Sequence, residues 1–224
     1  YLELHIEQGP VLEAERGAIG VVEGIFGIRW LTGEVIGEAD HAGPTPMAMR
    51  RDALVAGAHM VLAARALPAR LGRDLVATVG RFDVHPGAPN IIPGRVRFTV
   101  DVRAPGAEVL AEAVTALQEE VAAIGRRERV QAQVNQLWYS EPTPFDPGII
   151  GLLEDVCRRR DVPYLRMASG AGHDAKYMAE VAPTGMIFVP SVRGKSHDED
   201  EETSWEDCAR GAQVLCDAVL ALAG

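Results

Sequence analysis

Between residues 20 and 139 the chain follows the order strand, helix, strand, strand, helix, strand, and few compact folds accept that order. Residues 19–39 are rich in Val, Ile and Gly with alternation, which predicts two strands or one long bent strand. Residues 49–67 carry Leu54, Ala58, Val61 and Leu62 at helical spacing, which predicts an amphipathic helix stopped by Pro68. Strands are expected at 75–84 and 96–102. Residues 107–124 place Leu110, Val114, Leu117 and Val121 on one helical stripe, with Gly125 as its cap, and a last strand covers 130–138. This is the split βαβ order of ferredoxin-like domains.

The flanks have a different character. Leu2, Leu4 and Ile6 alternate with Glu3, His5 and Glu7, the period of a strand with one apolar face, and Gly9-Pro10 ends it before a short helix at 11–15. After the hinge-like stretch EPTPFDPG come a helix at 149–160, a strand at 164–168, a helix at 175–180, a strand at 185–189 and a helix at 205–223. The expected architecture is α/β. A small domain, residues 19–139, is inserted into a larger one whose sheet is shared by residues 1–18 and 140–224.

Charge and composition exclude several functions. With 224 residues and a formal net charge of -10, and with its Lys and Arg scattered, the chain is not built to grip a phosphate backbone, so no nucleic-acid partner is expected. Cys157, Cys208 and Cys216 form no short paired spacing. They predict reduced thiols in a cytoplasmic protein rather than a zinc-thiolate site. No apolar run is read as approaching the roughly 20 residues of a membrane span. The sequence opens on Tyr1 inside a strand pattern, which leads to the expectation of further residues upstream.

Six histidines are few enough to weigh singly. His5 lies on the polar face of the first strand pattern, followed by Glu7 and Gln8. His197 lies in a loop crowded with carboxylates, SHDEDEETS, where a metal shell or an ordinary solvated loop can be built. His41 sits in EADHAGPTPM, a loop stiffened by two prolines and a glycine. His173 follows small residues in SGAGHDA, where backbone N–H groups can approach a ligand. His59 and His85 read as structural. Asn90 in GAPNIIPG and Arg103 in FTVDVRAP would suit a carboxylate if they converge, since a guanidinium grips one in a bidentate fork; the alternative is an Arg103 paired with Asp101.

Taken in order, LHIEQGPVLE, GEADHAGPTPM followed by RRDA, PNIIPG with FTVDVR, SGAGHDA and VPSVRGKSHDEDEETS resemble the N-carbamoyl-L-amino-acid hydrolases, allantoate amidohydrolases and β-ureidopropionases, over nearly the whole chain. The resemblance implies a metallopeptidase-like catalytic domain with an inserted ferredoxin-like lid that also dimerises. It implies a hydrolase of linear amide-type C–N bonds, not peptide bonds, acting on a small ureido acid. Its cofactors would be two divalent metal ions, zinc, manganese or cobalt. By the same resemblance His5 and His197 bind one metal each and Gln8 faces the substrate. His41 reaches the partner subunit's site and stabilises the oxyanion, Asn90 and Arg103 hold the substrate carboxylate, and Gly172 and His173 line the pocket. Glu201 takes the acidic position after the second ligand.

One departure qualifies this. The family's remaining ligands, an HxD histidine, a bridging Asp and a Glu-Glu pair, precede HIEQG and have no counterpart here, so the chain alone is expected to be inactive. Two other readings stay open. One is an aminoacylase or dipeptidase of the same clan; the other is a non-catalytic dimerisation or ligand-binding piece.

Overall fold

The computed structural model describes residues 1–72 and 74–224. In chain order the elements are β1 (Leu2–Ile6), α1 (Val11–Ala14), β2 (Ile19–Ile25), β3 (Gly27–Ile36), β4 (Asp40–His41), α2 (Ala53–Leu71), β5 (Val76–His85) and β6 (Ile91–Ile92). They continue with β7 (Arg95–Ala104), α3 (Ala107–Glu128), β8 (Gln131–Ser140), β9 (Thr143–Pro144), α4 (Pro147–Arg159), β10 (Tyr164–Ser169), α5 (Ala175–Met178), β11 (Gly185–Val189) and α6 (Trp205–Ala223). Two compact units result, residues 1–26 with 143–224, and residues 27–142.

The first unit is built on a mixed sheet in the order β1-β11-β2-β10, with β9 added to β2. β1 runs parallel to β11, with His5 beside Phe188, and β2 runs antiparallel to β11. Alternation along a strand sends Leu4 and Val189 to one face and His5 and Phe188 to the other. α6 covers the first of these faces at Gly211, where an added Cβ would lie 2.6 Å from Val189 and 2.7 Å from Leu4. Leu153 of α4, Ile187 of β11 and Val214 of α6 are fully buried in the shared core.

The second unit is a four-stranded antiparallel sheet in the order β5-β7-β3-β8, with α2 and α3 supplying the core on one face. Numbered within the unit, that order is 2-3-1-4, the ferredoxin-like arrangement read from the sequence. The α3 stripe of Leu110, Val114, Leu117 and Val121 is buried as expected.

Four features differ from the sequence reading. β2 belongs to the first unit, so the boundaries fall after Phe26 and Pro142 rather than at 18/19 and 139/140. β2 is buried on both faces, and such a strand carries no alternation to set it apart from β3. α2 buries Ala53, Ala56, Gly57, Met60, Ala64 and Leu67, leaving Leu54, Ala58 and Leu62 exposed. It also runs through Pro68 to Leu71, closed by the Gly72 N–H on the Pro68 carbonyl at 2.9 Å. α3 runs through Gly125 and ends at Arg129, whose φ is 57°. At Gly125 an added Cβ would meet Ala132 at 3.3 Å, so the glycine serves packing rather than capping.

With 19 residues and only Arg65 and Arg70 charged, α2 is long and apolar enough to cross a membrane by length and composition, against the sequence reading. Its small-residue face is nonetheless built into the core of the second unit.

Candidate active site

In the first unit the parallel strands β1 and β11 end side by side, so the loops after them leave from the same end of the sheet. The C-terminal ends of parallel strands are where α/β sheets place ligands. Polar contacts tie the two loops together. The Gln8 N–H donates to Ser191 Oγ at 3.0 Å, and Gln8 Nε2 donates to Ser196 Oγ at 3.2 Å. Gly194, at φ 63°, lies so close to Pro10 that a Cβ would come within 2.6 Å of its nitrogen. Gln8 and His197 both hold left-handed backbone, at φ 59° and 57°. Non-glycine residues rarely adopt that conformation.

His5, Gln8 and Glu201 line one open cavity of about 520 Å3, together with Leu4, Ile6, Val189 and Cys208. His5 Nδ1 lies 2.8 Å from the Ile6 carbonyl oxygen. A carbonyl can only accept, so Nδ1 carries the proton and the Nε2 lone pair is left for a ligand. That tautomer, fixed by a backbone carbonyl, is how metal-binding imidazoles are held. His197 is exposed, next in the chain to Ser196. Glu7, from the same motif, is structural. Its two oxygens accept the N–H groups of Val11 and Leu12 at 2.7 and 2.9 Å, capping α1.

His173 does not stand where a substrate-lining residue would. Its side chain is 2% exposed, with Nε2 2.8 Å from Ser169 Oγ. Its Nδ1 lies 3.9 Å from Glu3 Oε1, too far for a hydrogen bond. Burial first, then the neighbouring His5 imidazole, pushes its pKa down to about 4. Burial and His5 therefore outweigh the opposing Asp174 carboxylate, and His173 is neutral near pH 7. Gly172 differs: an added Cβ there would meet nothing within 4 Å.

In the second unit β4 pairs with β6, so His41 lies opposite Ile91 and the Ala42 N–H donates to the Asn90 carbonyl at 3.0 Å. The strand pair thus brings His41 and Asn90 together. The His41 loop is braced by Arg50, whose side chain donates to the carbonyls of Ala42 and Thr45 at 2.6 and 3.2 Å. The Gly43 N–H donates to His41 Nδ1 at 3.0 Å, which puts the proton of the neutral ring on exposed Nε2.

Arg103 is elsewhere. It pairs with Val76 at the far end of the β5-β7 hairpin, whose connection carries Asn90 next to Arg95. The eight residues from Arg95 to Arg103 along β7 span roughly 27 Å, so Asn90 and Arg103 of one copy do not converge on one carboxylate. Arg103 is bidentate to Asp101, with Nε to Oδ1 at 2.9 Å and Nη2 to Oδ2 at 2.7 Å. It borders a cavity of about 440 Å3 on the sheet face, with Trp30, Val76 and Leu137.

The sequence reading missed Ser169 and Glu3 as partners of His173. The alternation that places Glu3 on the face of His5 was its one visible signal. Among the described residues, no three His, Cys, Asp or Glu side chains are grouped so as to hold a metal ion. The two proposed donors suit a divalent metal in kind, but this chain does not supply enough of them for a closed site.

Known proteins are similar to this chain over nearly its whole length. The chain is 38% identical to an N-carbamoyl-L-amino-acid amidohydrolase of Paenarthrobacter aurescens, over 99% of this chain and 54% of that protein. It is also 38% identical to the allantoate amidohydrolase of Escherichia coli, over 96% of this chain and 52% of that protein. A solved amidase of the hydantoinase/carbamoylase family from Burkholderia multivorans superposes with a TM-score of 0.94 at 45% identity, covering 98% of this chain and 54% of that one. The chain thus spans about half the length of the relatives it matches. The family model for peptidase family M20/M25/M40 matches residues 1–221, nearly every element described above, and the chain belongs to that family.

Proposed function

We propose that this chain is part of a metal-dependent amidohydrolase that cleaves the carbamoyl C–N bond of an N-carbamoyl-L-amino acid or a related ureido acid such as allantoate. The observation that carries this is the cavity at the ends of β1 and β11, lined by His5, Gln8 and Glu201, together with a His5 tautomer that keeps the proton on Nδ1. In this reading His5 and His197 each contribute an imidazole to a dinuclear centre of zinc, manganese or cobalt, and the remaining donors lie outside the chain. Such a centre, when bound, lowers the pKa of a water and polarises a carbonyl. His41 Nε2–H donates to the oxyanion that forms when water adds to the carbamoyl carbon. The C–N bond then breaks to release the amino acid, and carbamate falls to CO2 and ammonia.

Two observations favour a homodimer joined through the second unit. Asn90 and His41 lie at one end of the sheet and Arg103 at the other, much farther apart than a ureido acid is long, so one substrate would draw on two copies. α2 also exposes Leu54, Val55 and Leu62, by 37, 44 and 62%, on the face turned from its own core. The sparse, unpaired cysteines favour a cytoplasmic location.

The test is turnover by the whole protein, before and after chelation, read as ammonia release from N-carbamoyl amino acids and as free amino acid released from N-acyl amino acids. Chelator-sensitive release from the carbamoyl substrates is expected. Turnover of N-acyl substrates alone would favour the aminoacylase reading instead.

A further inference from the structure

Three rings meet on the face of the first sheet that bears His5. The His5 and His173 centroids are 4.6 Å apart at an interplanar angle of 67°. Phe188 lies 6.5 Å from the first and 5.5 Å from the second. Hydrogen-bonding groups flank the middle ring on both sides. Ser169 Oγ stands 2.8 Å from His173 Nε2, and that hydroxyl is itself anchored, accepting from the Ala171 N–H at 3.1 Å. On the other side stands Glu3, whose Oε2 accepts from the Ala175 N–H at 2.7 Å and from Tyr1 OH at 3.1 Å. Ser169 ends β10 and Glu3 belongs to β1, so His173 is hydrogen-bonded to one strand of the sheet and lies beside a second.

We infer that His173 is a positioning residue: clamped by Ser169 and seated beside Glu3, it fixes the imidazole plane of His5 by edge contact and so aims His5 Nε2. The inference rests on the reading of His5 as a metal ligand. A hydrogen bond from His5 Nδ1 to the Ile6 carbonyl fixes the tautomer but leaves the ring able to swing about that bond. The His173 ring, set across it at 67°, removes that freedom. A direct substrate role does not fit a side chain 2% exposed, because covering the surface further can only bury it more.

The experiment uses the whole protein, zinc titration and NMR of the metal-free form. His5→Ala establishes the starting point by weakening zinc binding. Against it, His173→Ala is expected to weaken zinc about 10- to 100-fold, the usual effect of losing a group that orients a ligand. It should also broaden the His5 ring resonances, while KM at saturating zinc stays near wild type. Ser169→Ala removes only a hydroxyl and keeps the packing, so it reports even if His173→Ala fails to fold. It should give a smaller shift in the same direction, and His173→Gln should recover part of the loss. If both Ser169→Ala and His173→Gln left zinc affinity and the His5 resonances as in wild type, the positioning role would be overturned. So would a rise in KM alone. Unchanged zinc binding in His5→Ala would instead overturn the ligand assignment beneath it.

Discussion

The Gln8 N–H donates to the Ser191 hydroxyl at 3.0 Å, joining the loop after β1 to the loop after β11 across 183 positions of sequence. Ser191 is fully buried and Gln8 is held in left-handed backbone. The bond therefore helps to hold Gln8 in a backbone conformation that it would rarely keep alone. Ser191→Ala removes the partner of the Gln8 N–H in a half-buried contact. The expected cost is about 0.5–1.5 kcal/mol, read as a lower denaturant midpoint at unchanged m. Activity should fall further than stability, because the two loops carry His5 and His197 on their flanks. Unchanged midpoint and turnover would show that the loops are held by other contacts.

Glu154 gives the first unit a pH dependence of known sign. Hydrogen bonds from Arg166 Nε and Nη2, at 2.8 and 2.7 Å, lower its pKa against the opposing effect of burial. A carboxyl with a lowered folded pKa stabilises above its unfolded value, near 4.5, and that contribution is lost as pH falls through the folded pKa. Arg166→Met should lower stability at pH 7, by less than loss of a buried charged pair would, because Arg166 is half exposed and screened. The gap between wild type and variant should close as pH drops below 4.5. A gap of constant size from pH 7 to pH 3 would mean that Arg166 acts by packing alone.

Gly33 sets the packing of the second unit. On β3 it faces the buried Phe98 of β7 so closely that a Cβ would lie 2.2 Å from the ring. Gly33→Ala forces the ring off its site and should cost about 1–3 kcal/mol by overpacking. Phe98→Leu in the same chain should recover part of the loss, since the two changes act on one contact. Additive losses in the double variant would show that the ring is not what Gly33 accommodates.

What the sequence made legible depended on contrast between faces. β1 alternates, and α3 has a charged face opposite its Leu and Val stripe, so both can be read directly. α2 is apolar all round, and periodicity then picks its larger residues, Leu54 and Leu62, although the sheet takes the smaller ones because α2 lies close against it. Pro68 and Gly125 were read by their local habits, but the first costs α2 one backbone bond near its end and the second answers to Ala132 on β8. The site was legible as motifs and not as distances. PNIIPG and FTVDVR are neighbours in sequence, yet a whole strand separates Asn90 from Arg103. His173 was visible as a polar residue among glycines, but its burial depends on Ser169, Glu3 and Phe188 from three strands.

The separation of Asn90 and His41 from Arg103 leads to a prediction about subunits. If His41 serves the neighbour's site while His5 serves its own, His41→Ala and His5→Ala proteins should each be nearly dead. In a mixed dimer, the site on the His41→Ala subunit keeps its own His5 and receives His41 from the other copy, so it is whole. The second site lacks both. Random pairing of equal amounts makes about half the dimers mixed, each with one working site in two, so activity should return to about a quarter of wild type. Subunit exchange can be followed independently by a mass tag on one variant. If exchange is complete and the mixture stays as inactive as its parents, His41 acts within its own copy and the exposed face of α2 has another use.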